Sequence, residues 1–292
     1  MSSQIFDRTA LACFRSRAAR KMATNRCDFL LQYVASDVID RLSLIKRDFC
    51  LAFNYGCHGS QTSSLLKKLP QIQHLISSDS VAELVEEASG LRMIADEELF
   101  PFRAESLDLI VSLLNLQWVN DLPGSLVQIR QGLKPDGVFI AAMLGRDSLS
   151  ELRHCLFQAE DEIYGGSSAR VAPFADVRDL GHLLQRAGFA LPVTDRDLLT
   201  VRYSSCRDLM NDLRAMGASN ALQARSRQPV SRRYFERVEE LYHAQFADED
   251  GRLRASFEVI YLLGWAPHPD QQQPLKPGSA AVSLKDVFEK SD

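Results

Sequence analysis

Short apolar runs alternate with stretches of helical periodicity over the first half of the chain. Cys50-Leu51-Ala52-Phe53, ending in Asn54-Tyr55-Gly56, reads as a first strand with its turn. A helix follows over 63–69, then a second strand, His74–Asp79, and a helix over 81–88. Leu91–Ala95, Leu107–Ser112 and Val138–Met143 supply the third, fourth and fifth strands. Strands separated by helices pair in parallel, so the pattern predicts an α/β protein with a doubly wound, Rossmann-like sheet. On such sheets ligands bind outside the carboxyl ends of the strands, near the switch point. Asn54, Asp79, Asp96 and Ser112 each fall at such an end.

From Ser148 the pattern changes. Ser148 to Glu162 reads as a helix opening with Ser148-x-x-Glu151, the form of a capping box. Gly165-Gly166-Ser167-Ser168 is a break, and Asp176 to Ala187 is a helix stopped by Gly188. Cys206–Met216 and Arg232–Phe246 are amphipathic helices, and Ser256–Trp265 is an apolar strand. Four segments result: N-terminal helices (1–45), the α/β core (46–147), a C-terminal part of the fold with substrate or partner helices (148–266), and an extended tail (267–292) rich in Pro, Gln, Gly and Ser.

Composition narrows the field. A chain of 292 residues with 46% hydrophobic content can bury a full core. Its net charge of −4 argues against a nucleic-acid binder, which lives by phosphate neutralisation and is normally basic. No apolar run approaches the ~20 residues that span a bilayer, which leaves peripheral membrane contact open. The six cysteines are scattered without a Cys-x-x-Cys pair, which suits a reducing compartment and offers no zinc set. Arg8 to Arg26 is Arg-rich and nearly free of acids, either a transit-peptide-like segment or a basic amphipathic helix with Leu11, Phe14 and Ala18 on one face. On that helix Arg15, Arg17 and Arg20 either close over the site or line a solvated face, and the solvated face is the expectation.

The chemistry lies in the loops. Ala95-Asp96-Glu97-Glu98-Leu99-Phe100-Pro101-Phe102, then Leu107-Asp108-Leu109-Ile110-Val111-Ser112, resembles the passage from adenine contact into the fourth strand of many S-adenosylmethionine (SAM) methyltransferases. Leu133-Lys134-Pro135-Asp136-Gly137-Val138 is similar to their turn into the fifth strand. The resemblance implies SAM as cofactor and assigns Asn54, Gly56, His58, Asp79, Asp96 and Glu97 to its site. Asp79 would grip the ribose hydroxyls, and Asp96 the adenine amino group. Such enzymes show an acid and then three alternating glycines after strand one; here Asn54 replaces the acid, Gly56 keeps its register, and His58 and Ser60 replace glycines. Bland alternatives stand beside these roles: Asp79 as a helix N-cap, Asp96-Glu97-Glu98 as a solvated acidic turn, and His58 as a tolerated loop substitution.

Over almost its whole length the chain is similar to the mitochondrial complex I assembly factor 5 family, the arginine-hydroxylase branch of the class I SAM-methyltransferase fold. Phe6-Asp7-Arg8, Trp118-Val119-Asn120-Asp121-Leu122-Pro123, Asp179-Leu180-Gly181-His182-Leu183-Leu184 and Gly278-Ser279-Ala280-Ala281-Val282-Ser283 carry the likeness. It implies a protein partner, an iron–sulfur subunit of complex I modified at an arginine. The location would be the bacterial cytoplasm, or the matrix side of the inner membrane in a eukaryote. A more distant resemblance is to malonyl carrier-protein O-methyltransferases, through Gln117-Trp118 and Met216-Gly217-Ala218. Gln117, Trp118 and Met216 are the candidate substrate contacts; the alternative for Trp118 is a buried packing aromatic. Glu151-x-x-His154 and Glu240-x-x-His243 have di-iron helix spacing but are expected to be wet-face coincidences, so no metal site is expected. Three functions remain open: arginine modification, carboxyl O-methylation, and a non-catalytic binding role with an altered SAM site. No catalytic residue is assigned.

Overall fold

The computed structural model describes residues 4–22, 28–166, 168–272 and 278–279. Its strands are Phe49–Tyr55 (β1), Ile72–Asp79 (β2), Leu91–Ile94 (β3), Leu107–Leu113 (β4), Leu133–Leu144 (β5), Ala190–Tyr203 (β6) and Leu253–Trp265 (β7). They form one sheet in the order β3-β2-β1-β4-β5-β7-β6. The first five pair in parallel, and β7 runs antiparallel to both β5 and β6. Every residue of β4 is buried, as a central parallel strand covered by helices on both faces requires. Order reverses between β1 and β4, and this switch point fixes where a ligand crevice opens.

The helices are Arg8–Met22 (α1), Phe29–Ser43 (α2), Ser60–Leu66 (α3), Ala82–Glu87 (α4), Leu122–Gly132 (α5), Ser150–Tyr164 (α6), Val177–Arg186 (α7), Cys206–Ala215 (α8) and Arg232–Phe246 (α9). One face of the sheet packs Val34, Leu42, Val111, Ile140, Leu209 and Tyr242 into a core with α2, α6, α8 and α9. The other packs Tyr55, Ile110, Phe139, Ile129 and Leu180 with α5 and α7. Leu209 is fully buried and Leu213 packs against the same core, as the spacing of α8 predicts.

Three local findings depart from the sequence reading. Residues 190–203 carry a strand that periodicity missed, because β6 is an edge whose positions, Tyr203 excepted, stay exposed or half-exposed and whose sequence is correspondingly polar. The capping box does not form. The Ser148 hydroxyl instead donates to the Glu258 carbonyl and accepts from the Glu258 N–H, both at 3.0 Å. Glu151 accepts from the Ser256 N–H at 3.1 Å and from its hydroxyl, so both residues tie α6 to β7. Asp176 and Gly188 behave as expected: the Asp176 carboxylate accepts the Arg178 N–H at 2.9 Å, and Gly188 ends α7 at φ +86°. Within the tail only 278–279 of the motif 278–283 belong to the described residues.

Candidate active site

Local chain geometry brings most of the candidate residues to one end of the sheet. Asn54 lies near the carboxyl end of β1 and Asp79 ends β2; Asp96 and Glu97 follow β3 directly. Asn54 is register neighbour to both Ser77 and Val111. Gly56 turns the loop at φ +81°, and a Cβ there would collide with the Asn115 side chain, so only glycine permits the approach. His58 takes a left-handed conformation at φ +50°, the kind of backbone that favours glycine.

His58 is locked by hydrogen bonds. Its Nε2 lies 2.9 Å from the Leu113 carbonyl, which assigns the proton to Nε2 and leaves Nδ1 to accept from Arg15 at 3.3 Å. Burial, and then the Arg15 charge, push its pKa down to about 3, so the ring is neutral near pH 7.

The largest correction concerns Arg15. Expected on a solvated face, it is only 4% exposed and sits in the site itself. Its guanidinium donates to Asp79 at 2.7 Å, to Asn115 Oδ1 at 3.0 Å and to Glu97 at 3.3 Å. Arg8 joins from the start of the same helix, donating to Asp96 at 3.0 Å and pairing with Glu97. Burial raises the Asp79 pKa, and the nearby Glu97 charge adds to that, while Arg15 opposes. Burial also pushes Glu97 up, but Arg15 and Arg8 outweigh it and hold the carboxyl below its usual range. The sequence did hold a signal: Leu11, Arg15, Ala18 and Ala19 follow i, i+4, i+7, i+8, and all four are buried. Arg17 and Arg20 are exposed, as expected.

Asp79 does not cap α4, whose N-cap is Val81 without a side-chain bond; its Oδ1 instead accepts the Val81 N–H at 3.1 Å in the turn ahead of the helix. The acidic turn is not simply solvated. Glu97 is buried and Asp96, with its side chain 46% exposed, faces Arg8. Gln117 and Trp118 form a short helical turn after β4. Trp118 meets Phe6 edge to face at 5.5 Å and Phe174 at 6.3 Å, so it is a packing aromatic that also lines the site.

His58, Gln117, Trp118 and Met216 share with Arg15 the wall of a cavity of ≈ 70 Å³. The Met216-Gly217-Ala218 turn therefore closes the same cavity as the altered glycine loop, beside Gln117 and Trp118, the other candidate substrate contacts. Trp118, Leu144 and Ala218 also border a second, largely apolar cavity of ≈ 270 Å³ that includes Phe174, Leu213 and Arg170. Among the described residues no group of three or more His, Cys, Asp or Glu side chains is placed to hold a metal ion. His154 lies exposed against Phe246, and Glu240 pairs with Arg237.

Buried polar atoms test whether a nucleotide cofactor fits. Both amide atoms of Asn54, the Asn115 Nδ2, the Gln117 Oε1 and the Ser77 and Ser78 hydroxyls are buried without a hydrogen-bond partner among the described residues. Desolvating such groups unpaired is costly. Their position at the carboxyl ends of β1, β2 and β4 suits a ligand rich in donors and acceptors, as SAM is.

A methyltransferase domain family matches residues 53–141. The chain is 39% identical to the arginine-hydroxylase NDUFAF5, mitochondrial, of Homo sapiens, over 97% of this chain and 83% of that protein. It is 32% identical to a malonyl-[acyl-carrier protein] O-methyltransferase of Gallionella capsiferriformans, over 92% of this chain and 94% of that one. The fold is shared with the YcgJ protein of Bacillus subtilis at a TM-score of 0.56 and 12% identity, covering 81% of this chain and 99% of that one. SAM is the cofactor of the enzyme superfamily that these likenesses define. The chain belongs to the NDUFAF5 family of class I SAM-dependent methyltransferase-fold proteins.

Proposed function

We propose that the protein modifies an arginine of a complex I iron–sulfur subunit during assembly of the respiratory complex. The observation that carries this reading is the near full-length likeness to arginine-hydroxylase NDUFAF5, higher in identity than the likeness to the O-methyltransferase. Asp79 would hold the ribose, Asp96 and Glu97 the adenine side, and Asn54, Gly56 and His58 the methionine side of SAM. When bound, SAM supplies an electrophilic methyl group. Gln117, Trp118 and Met216 would orient the acceptor and exclude water from the cavity they share. The work would take place in the bacterial cytoplasm, or at the matrix side of the inner membrane in a eukaryote. No helix among the described residues is long and apolar enough to cross a membrane.

A second reading, carboxyl O-methylation, is favoured by the apolar cavity beside Trp118. Apolar walls with Arg214 suit an aliphatic chain with an anionic end better than a guanidinium, while Arg170 is already paired with Glu160. Mass spectrometry of the recombinant protein incubated with the iron–sulfur subunit, or with a malonylated carrier protein, separates the two. Added mass on an arginine of the subunit supports the first, and gain of one methylene on a carboxyl supports the second. A third reading, a binding protein with an altered cofactor site, is favoured by the side chains of His58 and Arg15 at the loop. It predicts capture of the subunit with no mass change.

A further inference from the structure

We propose that α1 is an internal gate on the cofactor site, with Arg15 standing on the carboxylate that would accept the ribose hydroxyls; this rests on reading the chain as a SAM binder. Both oxygens of Asp79 are engaged. Oδ1 accepts the Val81 N–H at 3.1 Å, and Oδ2 accepts Arg15 at 2.7 Å and the His58 N–H at 3.3 Å. A diol therefore reaches Oδ2 only by displacing the guanidinium. The same guanidinium also holds Asn115 Oδ1 and faces His58 Nδ1, so it spans the ribose and methionine ends together. The cavity of ≈ 70 Å³ that Arg15 and His58 line is too small for a nucleoside, and neither Asp79 nor Asn115 is on its wall.

Arg15 does not leave by simple rotation. An ideal Cβ on Gly217 would lie 3.0 Å from Arg15 Cγ and 3.1 Å from its Cα, so the Met216–Ala218 turn backs onto the root of the side chain. Opening thus moves the helix. α1 is suited to this, for none of its described side chains belongs to either main core. Leu11 packs in a small cluster around Phe6 and Trp118, and Ala19 in another around Val81 and Leu84. An element held by ion pairs and satellite contacts opens before the core does. Lifting α1 withdraws Arg8 and Arg15 from Asp79 and Glu97, and the ribose hydroxyls and the adenine amino group would donate hydrogen bonds to these carboxylates in their place.

The test is SAM titration by calorimetry of the full-length wild type and of Arg15→Ala and Arg15→Met, with amide hydrogen exchange across α1 in the wild type. A gate open in about one molecule in ten weakens apparent affinity about tenfold, so both variants should bind about tenfold tighter. Saturating SAM should speed exchange of the wild-type α1 amides. Equal or weaker binding by the variants, with a wild type that does bind, overturns the gate and leaves the cofactor reading standing. Slower α1 exchange with SAM also overturns it, and this arm decides even where the variants fail to fold. No binding by any of the three proteins sinks the cofactor reading, and the gate with it.

Discussion

The Arg15 guanidinium lies 2.7 Å from the Asp79 carboxylate, joining the N-terminal helix to the carboxyl end of the second strand across a sequence separation of 64 residues. Both side chains are buried, at 4% and 0% exposure. Buried ion pairs of this kind contribute little net stability while intact, but removing one partner exposes the other's desolvation cost.

Trp118→Ala should destabilise the protein by about 3–5 kcal/mol, because it removes a buried aromatic from the edge-to-face contacts with Phe6 and Phe174. Trp118→Phe should lose less. Urea denaturation of the three proteins checks this; equal midpoints for wild type and Trp118→Ala would deny Trp118 its packing role.

Ser148→Ala should cost about 1–3 kcal/mol, since the buried Glu258 N–H loses its acceptor between α6 and β7. Calorimetric melting reads the loss. A substitution at a solvated capping box would instead leave the melting temperature nearly unchanged.

Acid should loosen α1 before the sheet unfolds. Hydrogen bonds from the Ser16 hydroxyl and from Arg20 hold the Glu83 pKa down at about 2, from an ordinary 4.5. A depressed carboxyl contributes stability that is fully present above its unfolded pKa and is lost as pH falls through the folded one. The window is therefore pH 4.5 down to about 2. Amide exchange in α1 should accelerate across that window, and Glu83→Gln should weaken the dependence, leaving the part carried by Glu97 through Arg8 and Arg15. A flat profile in wild type until global unfolding would show that Glu83 does not hold the helix.

His58→Gly combined with Ser60→Gly should tighten SAM binding, by restoring small residues where the backbone approaches the ligand. The position of His58 at φ +50° and its place on the cavity wall motivate the change. A wild type that already binds SAM in the low micromolar range, near about −8 kcal/mol, would show that this loop is not impaired.

The sequence by itself determined the parallel half of the sheet. Apolar runs such as Leu107–Ser112 are buried on both faces, and burial of that kind writes a continuous signal into local composition. It also placed Asn54, Asp79 and Asp96 together, because topology sends the carboxyl ends of parallel strands to one edge. What only the tertiary structure decided is which polar side chains turn inward. β6 was hidden because an edge strand need not be apolar. Ser148 and Glu151 met β7 rather than each other, since backbone groups distant in sequence offered the better partners. Arg15 looked like a solvated cation until Asp79, Glu97 and Asn115 were brought around it from three separate strand ends. A buried charge is satisfied by partners that lie far away along the chain, so local pattern carries no record of them.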